Sequence, residues 1–377
     1  MVEVQVTQLD IPEGMIDLGV GQPDPELLPL ALMRAAVPRA LAQDDATRWL
    51  AYGVQQGNGS FRVALASFLS DAYGVAVAPD DLFITNGSSQ ALAMACSRFA
   101  RPGDVVLVED PTYHLALRIM DDAGLRTVGV PMDAEGVELA ALERALVKHS
   151  PRLIYTIPSH HNPSSITMSA DRRQAVVALA RRHGALVVAD EVYQLLGFED
   201  ASPPPVAAWA DSEAVLSIGS FSKILAPGLR LGWILTAAPA MERLVRNGLL
   251  DSGGGLNPFT SAMLQPVLEQ GLLTQHLQRL RAEYSKRAAA LVEALRQHLP
   301  ASVTFDVPDG GFFVWLGLPP GVDPDALLDA ARAEGVAFKP GVAFSCSGAP
   351  HPRARLCFAY YDVDDLREGA RRLARVL

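Results

Sequence analysis

Residues 220–233 read Ser-Phe-Ser-Lys-Ile-Leu-Ala-Pro-Gly-Leu-Arg-Leu-Gly-Trp and lie between two apolar runs, Val215–Ile218 and Leu231–Leu235. Short apolar runs on either side of a Pro-Gly-containing segment predict strand, loop, strand. A lysine at position 223, set among small uncharged neighbours and shielded from water, has a lowered pKa and can act as an amine nucleophile. Ser220 and Ser222 add two hydroxyl donors and Arg230 a fixed cation, the partners a dianionic phosphate requires. A lone lysine is by default a solvated surface charge. The small neighbours, the flanking apolar strands and an arginine seven residues on argue against that default here.

Further apolar runs lie upstream, at Leu82–Thr85, Val105–Val108, Arg126–Val130, Leu153–Thr156 and Ala185–Ala189. Helical segments such as Ala170–His183, which follows Ser169, separate them. Strands that are apolar throughout and alternate with helices predict an α/β fold, a mostly parallel sheet covered by helices on both faces. From residue 272 the pattern changes. Leu277, Leu280, Tyr284, Ala288, Leu291, Leu295 and Leu299 form one stripe of a long amphipathic helix over Leu272–Leu299. The stretch from Val303 to Pro319 predicts a hairpin turning at Asp309-Gly310-Gly311. A short helix, a strand over Arg355–Tyr360 and a last helix from about Val363 complete a smaller α+β domain. The proline-rich first 45 residues lack a strong period and read as an arm crossing between domains.

Several strand ends carry chemistry-bearing residues. Thr85-Asn86-Gly87-Ser88-Ser89-Gln90 opens a helix whose first amides suit an anion, and equally reads as a helix capped by Ser88. Tyr113 follows the strand ending in Glu109-Asp110, where plain packing is the alternative. Asp190 closes a strongly apolar strand, so its carboxylate must be paired or raised in pKa; a solvated acidic pair with Glu191 is the other reading. His160 and His161 lack the spacing of a metal site and read as turn residues.

Taken together, these segments resemble the class I/II aminotransferases among the fold-type I pyridoxal-phosphate (PLP) enzymes. Within them the chain is similar to the aminoadipate and kynurenine aminotransferases and to the aminotransferase-like domain of MocR-type regulators. The resemblance runs from about residue 17 to 360. It implies a large PLP-binding domain over 46–271, a small C-terminal domain over 272–377, and residues 1–45 as an arm that also joins the small domain. It implies Lys223 as the Schiff-base lysine and proton shuttle. Asp190 would face the pyridine nitrogen, Tyr193 and Asn162 the phenolic oxygen, and Tyr113 would stack on the ring. Ser88, Ser89, Gln90, Ser220, Ser222 and Arg230 would form the phosphate cup. Tyr52 matches a tyrosine that reaches the phosphate from a neighbouring subunit, with local packing as the alternative. Gly21, Asn162 and Arg355 would meet the substrate, Arg355 clamping its α-carboxylate. The sequence departs from the family at Ser165, where glycine is usual, which puts the turn geometry in question.

The expected reaction is ping-pong transfer of an amino group from an L-amino acid to a 2-oxo acid, in a homodimer with shared sites. A β-lyase, racemase or synthase would use the same cofactor residues. A ligand-sensing regulator domain is the third reading, set against the short stretch before Asp17 and the lack of a basic segment. The 377 residues carry a formal net charge of −10, which argues against nucleic acid as a partner. No apolar run approaches the ~20 residues that span a bilayer. The first residues lack a leader's basic and apolar regions, and three scattered cysteines make no disulfide framework, so a cytoplasmic location is expected.

Overall fold

A computed structural model describes residues 11–42, 46–199, 202–210, 214–349 and 351–377; the first ten residues, read above for leader character, lie outside it. The strands in chain order are β1 (Ile16–Asp17), β2 (Leu82–Thr85), β3 (Val105–Asp110), β4 (Arg126–Asp133), β5 (Gly136–Val137), β6 (Leu153–Thr156) and β7 (Leu186–Asp190). They continue as β8 (Val215–Ser220), β9 (Gly232–Leu235), β10 (Phe313–Gly317), β11 (Val336–Ala337), β12 (Lys339–Pro340) and β13 (Arg353–Cys357).

Eight strands form the central sheet in the order β2-β9-β8-β7-β6-β3-β4-β5. The run β8-β7-β6-β3-β4 is parallel, while β9 is antiparallel to both β2 and β8. Strands β2, β6, β7, β8 and β9 are buried at every position, as expected of a sheet covered on both faces. Strand β2 therefore runs the same way as the parallel strands. The carboxyl ends of β2, β3, β6, β7 and β8 share one edge, where open α/β sheets bind ligands.

The seven apolar runs from Leu82 to Leu235 all form strands, four of them running on by one to three residues. The helix Ala170–His183 starts with Ser169 accepting from Arg172 N and ends at Gly184, at φ 66°. Near the C-terminus, β10-β13-β12 make a second sheet, and the helix Leu272–His298 packs along Val363–Leu373. Strand β1 pairs in parallel with β11, so the chain's start is bound to its last third. The buried Arg287 strengthens that link, donating to Asp24 Oδ2 at 2.7 Å and to Ala359 O at 3.1 Å.

Two expectations need correction. The Asp309-Gly310-Gly311 hairpin does not form. Thr304 and Gly317 make a single bridge, and residues 309–311 pair instead with the loop after β7, Phe198 N donating to Asp309 O and Gly311 N to Leu196 O. The buried His160 ring packs where side chains on Gly310 and Gly311 would stand, so the glycines serve close approach and not a two-residue turn. The expected strand Arg355–Tyr360 begins two residues earlier and ends at Cys357. The opening arm holds a helix, Leu30–Leu41, which buries only Ala36 and Ala40 and so shows little period.

Candidate active site

The loop from Ser220 to Arg230 leaves β8 at the shared edge. Ser220 Oγ accepts from Ser222 N at 3.1 Å and donates to Ser222 Oγ at 3.0 Å, closing the turn that presents Lys223. Lys223 Nζ donates to Gly21 O at 2.7 Å, which joins the N-terminal segment to this edge. Burial pulls its pKa down to about 8, with the Arg355 charge acting in the same direction. The neutral amine therefore exists near physiological pH. Coupling of PLP to the apoprotein is expected to rise about tenfold per pH unit up to about 8 and then level off. Stopped-flow mixing across pH 6–10 checks this, since a lysine of ordinary pKa keeps accelerating to the upper end.

One strand over, Asp190 Oδ2 accepts from Tyr155 OH at 2.8 Å, while Oδ1 is buried with no hydrogen-bond partner among the described residues. Burial pushes the carboxyl up to about 6, with the Tyr155 hydrogen bond opposing, so it remains ionised at neutral pH. A buried ionised oxygen without a donor is costly, and a protonated ring nitrogen is the kind of group that satisfies it. Tyr193 is buried edge-on to Phe312 at 5.4 Å and Phe313 at 5.9 Å. Tyr113 stands before the helix His114–Asp122, and burial, with Asp190 nearby, pushes its pKa up to about 12.

The helix Ser88–Phe99 begins at Gly87 (φ 87°), and no side chain caps it. Ser88 is thus the first helical residue and not the cap. The open amides of this first turn form a positive cradle. Arg230, in left-handed backbone (φ 48°), donates to Asn86 O at 3.2 Å, and its Nη2 lies 2.8 Å from where a Cβ on Gly87 would stand. Arg230 therefore lies beside the start of the helix that carries Ser88 and Ser89. Gln90 is occupied locally, Oε1 accepting from Asn86 N at 3.1 Å and Nε2 turned toward Met94 Sδ. Tyr52 is 86% exposed and meets none of these groups within the chain.

The buried Arg355 crosses from β13, donating to Asn162 Oδ1 and to Gly19 O, both at 2.7 Å. Its guanidinium lies over Phe313, 4.2 Å from the ring centroid. Arg353, two residues earlier, is exposed. The turn carrying Asn162 rests on the buried Glu109, which accepts from Thr156 Oγ1 at 2.6 Å and Ile157 N at 2.9 Å and lies 3.1 Å from His161 Nε2. Ser165 adopts the left-handed conformation (φ 63°) that glycine would take, and its Oγ donates to Phe313 O at 2.6 Å. The hydroxyl contact offsets the backbone strain. Ser165→Ala should therefore cost about 1 kcal/mol and Ser165→Gly less, an order read from urea midpoints.

Sequence reading missed Tyr155, Gly19 and the pair Phe312 and Phe313. Tyr155 is hidden in an apolar strand, and its link to Asp190 depends on the β6–β7 register.

An amine, a buried anion with an empty valence, a cradle of free amides beside an arginine, and a second arginine over an aromatic floor fit PLP and an amino-acid carboxylate together. The family described as aminotransferase class I and II matches residues 13–373. Aromatic-amino-acid aminotransferase 1 of Thermococcus litoralis is 33% identical over 96% of this chain and 88% of its own length. The crystal structure of Pyrococcus horikoshii kynurenine aminotransferase with PMP superposes with a TM-score of 0.90 at 32% identity, covering 97% of this chain and 91% of that one. That of the α-aminoadipate aminotransferase of Thermus thermophilus, complexed with N-(5'-phosphopyridoxyl)-L-leucine, gives 0.87 at 32% identity, with coverage of 97% and 92%. The chain belongs to the class I and II aminotransferases, fold-type I enzymes that use PLP to transfer amino groups from amino acids to 2-oxo acids.

Proposed function

We propose that the reaction is ping-pong transamination of an L-amino acid, with Lys223 as both the covalent anchor of PLP and the group that moves the substrate Cα proton. The orphaned Asp190 Oδ1 beside a lysine of depressed pKa carries this reading. When bound, PLP supplies an electron sink for the bond broken at Cα. Ser88, Ser89, Ser222, Arg230 and the amides after Gly87 would hold its phosphate, with Ser220 bracing the loop. Asp190 would keep its ring nitrogen protonated, Tyr193 and Asn162 would meet its phenolic oxygen, and Tyr113 would cover the ring. Gly21 and Arg355 fix the substrate so that its Cα–H bond faces Lys223, which accepts and returns the proton as its amine allows near pH 8.

Tyr52 and its exposed apolar neighbours Leu50 and Val54 suit burial against a second copy, with Tyr52 completing that copy's phosphate cup. Three free cysteines suit a reducing compartment, the cytoplasm. Among the described residues no helix is long and apolar enough to cross a membrane.

An amino acid added alone to the loaded protein should yield one equivalent of its 2-oxo acid per subunit and no ammonia. Sustained turnover should begin only when a second 2-oxo acid is supplied. Continuous release of ammonia and pyruvate from a cysteine conjugate would instead assign a β-lyase.

A further inference from the structure

Arg173, in the helix Ala170–His183, is fully buried behind the two loops that carry Asn162 and Tyr193. Each of its five N–H groups finds an acceptor. Nε donates to Met168 O at 2.9 Å, and Nη2 to Pro158 O at 2.9 Å and Ser159 Oγ at 3.0 Å. These acceptors lie at the two ends of the Asn162 loop, which Met168 N closes by donating to Pro158 O at 2.8 Å. Nη1 donates to Gln194 Oε1 at 3.0 Å, next to Tyr193, and to Pro204 O at 3.1 Å. Ser159 Oγ also donates to Gln194 Oε1, so the two loops are joined directly as well as through the guanidinium.

The nearest carboxylate, Glu191, stays 4.0 Å from Arg173 and is held more closely by Val206 N at 2.6 Å and Ser217 Oγ at 2.5 Å. A buried arginine so loosely paired is weak evidence for stability. Its planar fork, by contrast, sets the acceptors at fixed separations. Asn162 Oδ1 is taken by Arg355, which leaves the amide nitrogen of Asn162 as its donor. We propose that Arg173 is a positioning residue that fixes the Asn162 loop against the Tyr193 loop, so that both side chains reach the phenolic oxygen of PLP at once. The inference rests on that oxygen being their shared partner, as read above. Donors draw charge from a phenolate, and a less negative phenolate holds the proton of the neighbouring Lys223–PLP nitrogen less firmly.

The pH at which the absorbance of the PLP-loaded protein changes, with no substrate present, therefore reports whether both donors are in place. Tyr193→Phe should raise that pH by about one unit or more. Arg173→Lys keeps a charge beside Glu191 but not the fork, and should raise it by about half a unit or more. Gln194→Met cuts the direct link between the loops and should move it the same way; it decides the question alone if Arg173→Lys fails to fold. Leu295→Ala, at a buried position of the helix Leu272–His298, should lower the melting temperature without moving the pH. Cys357, Arg355 and Asp190, whose charges act on Lys223, are unaltered in every variant. A shift with Tyr193→Phe and none with either loop variant would overturn the proposal, as would an equal shift with Leu295→Ala. No shift with Tyr193→Phe would remove the phenolic-oxygen reading itself, and the proposal with it.

Discussion

A Lys223→Ala protein is expected to fold, to bind PLP weakly and reversibly, and to transaminate at least about a thousandfold more slowly than wild type. The residue is placed to do two things. Its Nζ sits at the shared strand edge, 2.7 Å from Gly21 O in the N-terminal segment, and its pKa of about 8 lets it exist as an amine. Alanine removes the covalent anchor and the proton carrier together, while the cradle at Gly87 and Arg230 still holds phosphate. Single-turnover conversion of an amino acid, followed by its 2-oxo acid product, measures the loss. The same protein's PLP affinity, by fluorescence titration, shows whether the cradle has survived. Turnover near the wild-type rate would remove the lysine from the mechanism.

Asp190→Asn is expected to cost a factor of about 10² to 5 × 10³ in the same single-turnover rate, with a smaller loss of PLP affinity. Asparagine preserves the shape and can still accept from Tyr155 OH, so the fold should be unaffected. What it removes is a negative charge in a site where burial already makes that charge expensive. Taking one partner from a buried charge pair costs about 3–5 kcal/mol, and each 1.36 kcal/mol is a tenfold change in rate. The loss should appear in the proton-transfer step, so a Cα-deuterated donor should show a larger isotope effect than with wild type. An unchanged rate would mean that Asp190 ionisation contributes nothing to the chemistry.

Local sequence signals located most of this site. Lys223, Asn162 and Ser88 follow strands buried at every position and Asp190 ends one, and a strand buried on both faces exposes its polar neighbours only at its ends. Once those strands are parallel, their carboxyl ends must meet. Residues that act through pairing between distant segments were invisible. Tyr155 depends on the β6–β7 register. The carbonyls of Gly19 and Gly21 carry no side-chain signature. Asp309-Gly310-Gly311 misled for the same reason, because a turn-forming sequence was used for close packing on His160 and pairing with Leu196 and Phe198. Ser165 shows the opposite case. The left-handed turn survives without glycine because a partner, Phe313 O, lies within reach of the hydroxyl.

The covalent role of Lys223 is tested most directly by borohydride reduction of the PLP-loaded protein, followed by digestion and mass spectrometry. A single phosphopyridoxyl increment on the peptide containing position 223, absent from Lys223→Ala, is the predicted result. An unmodified Lys223, or an increment on another lysine in the wild type, would contradict the account.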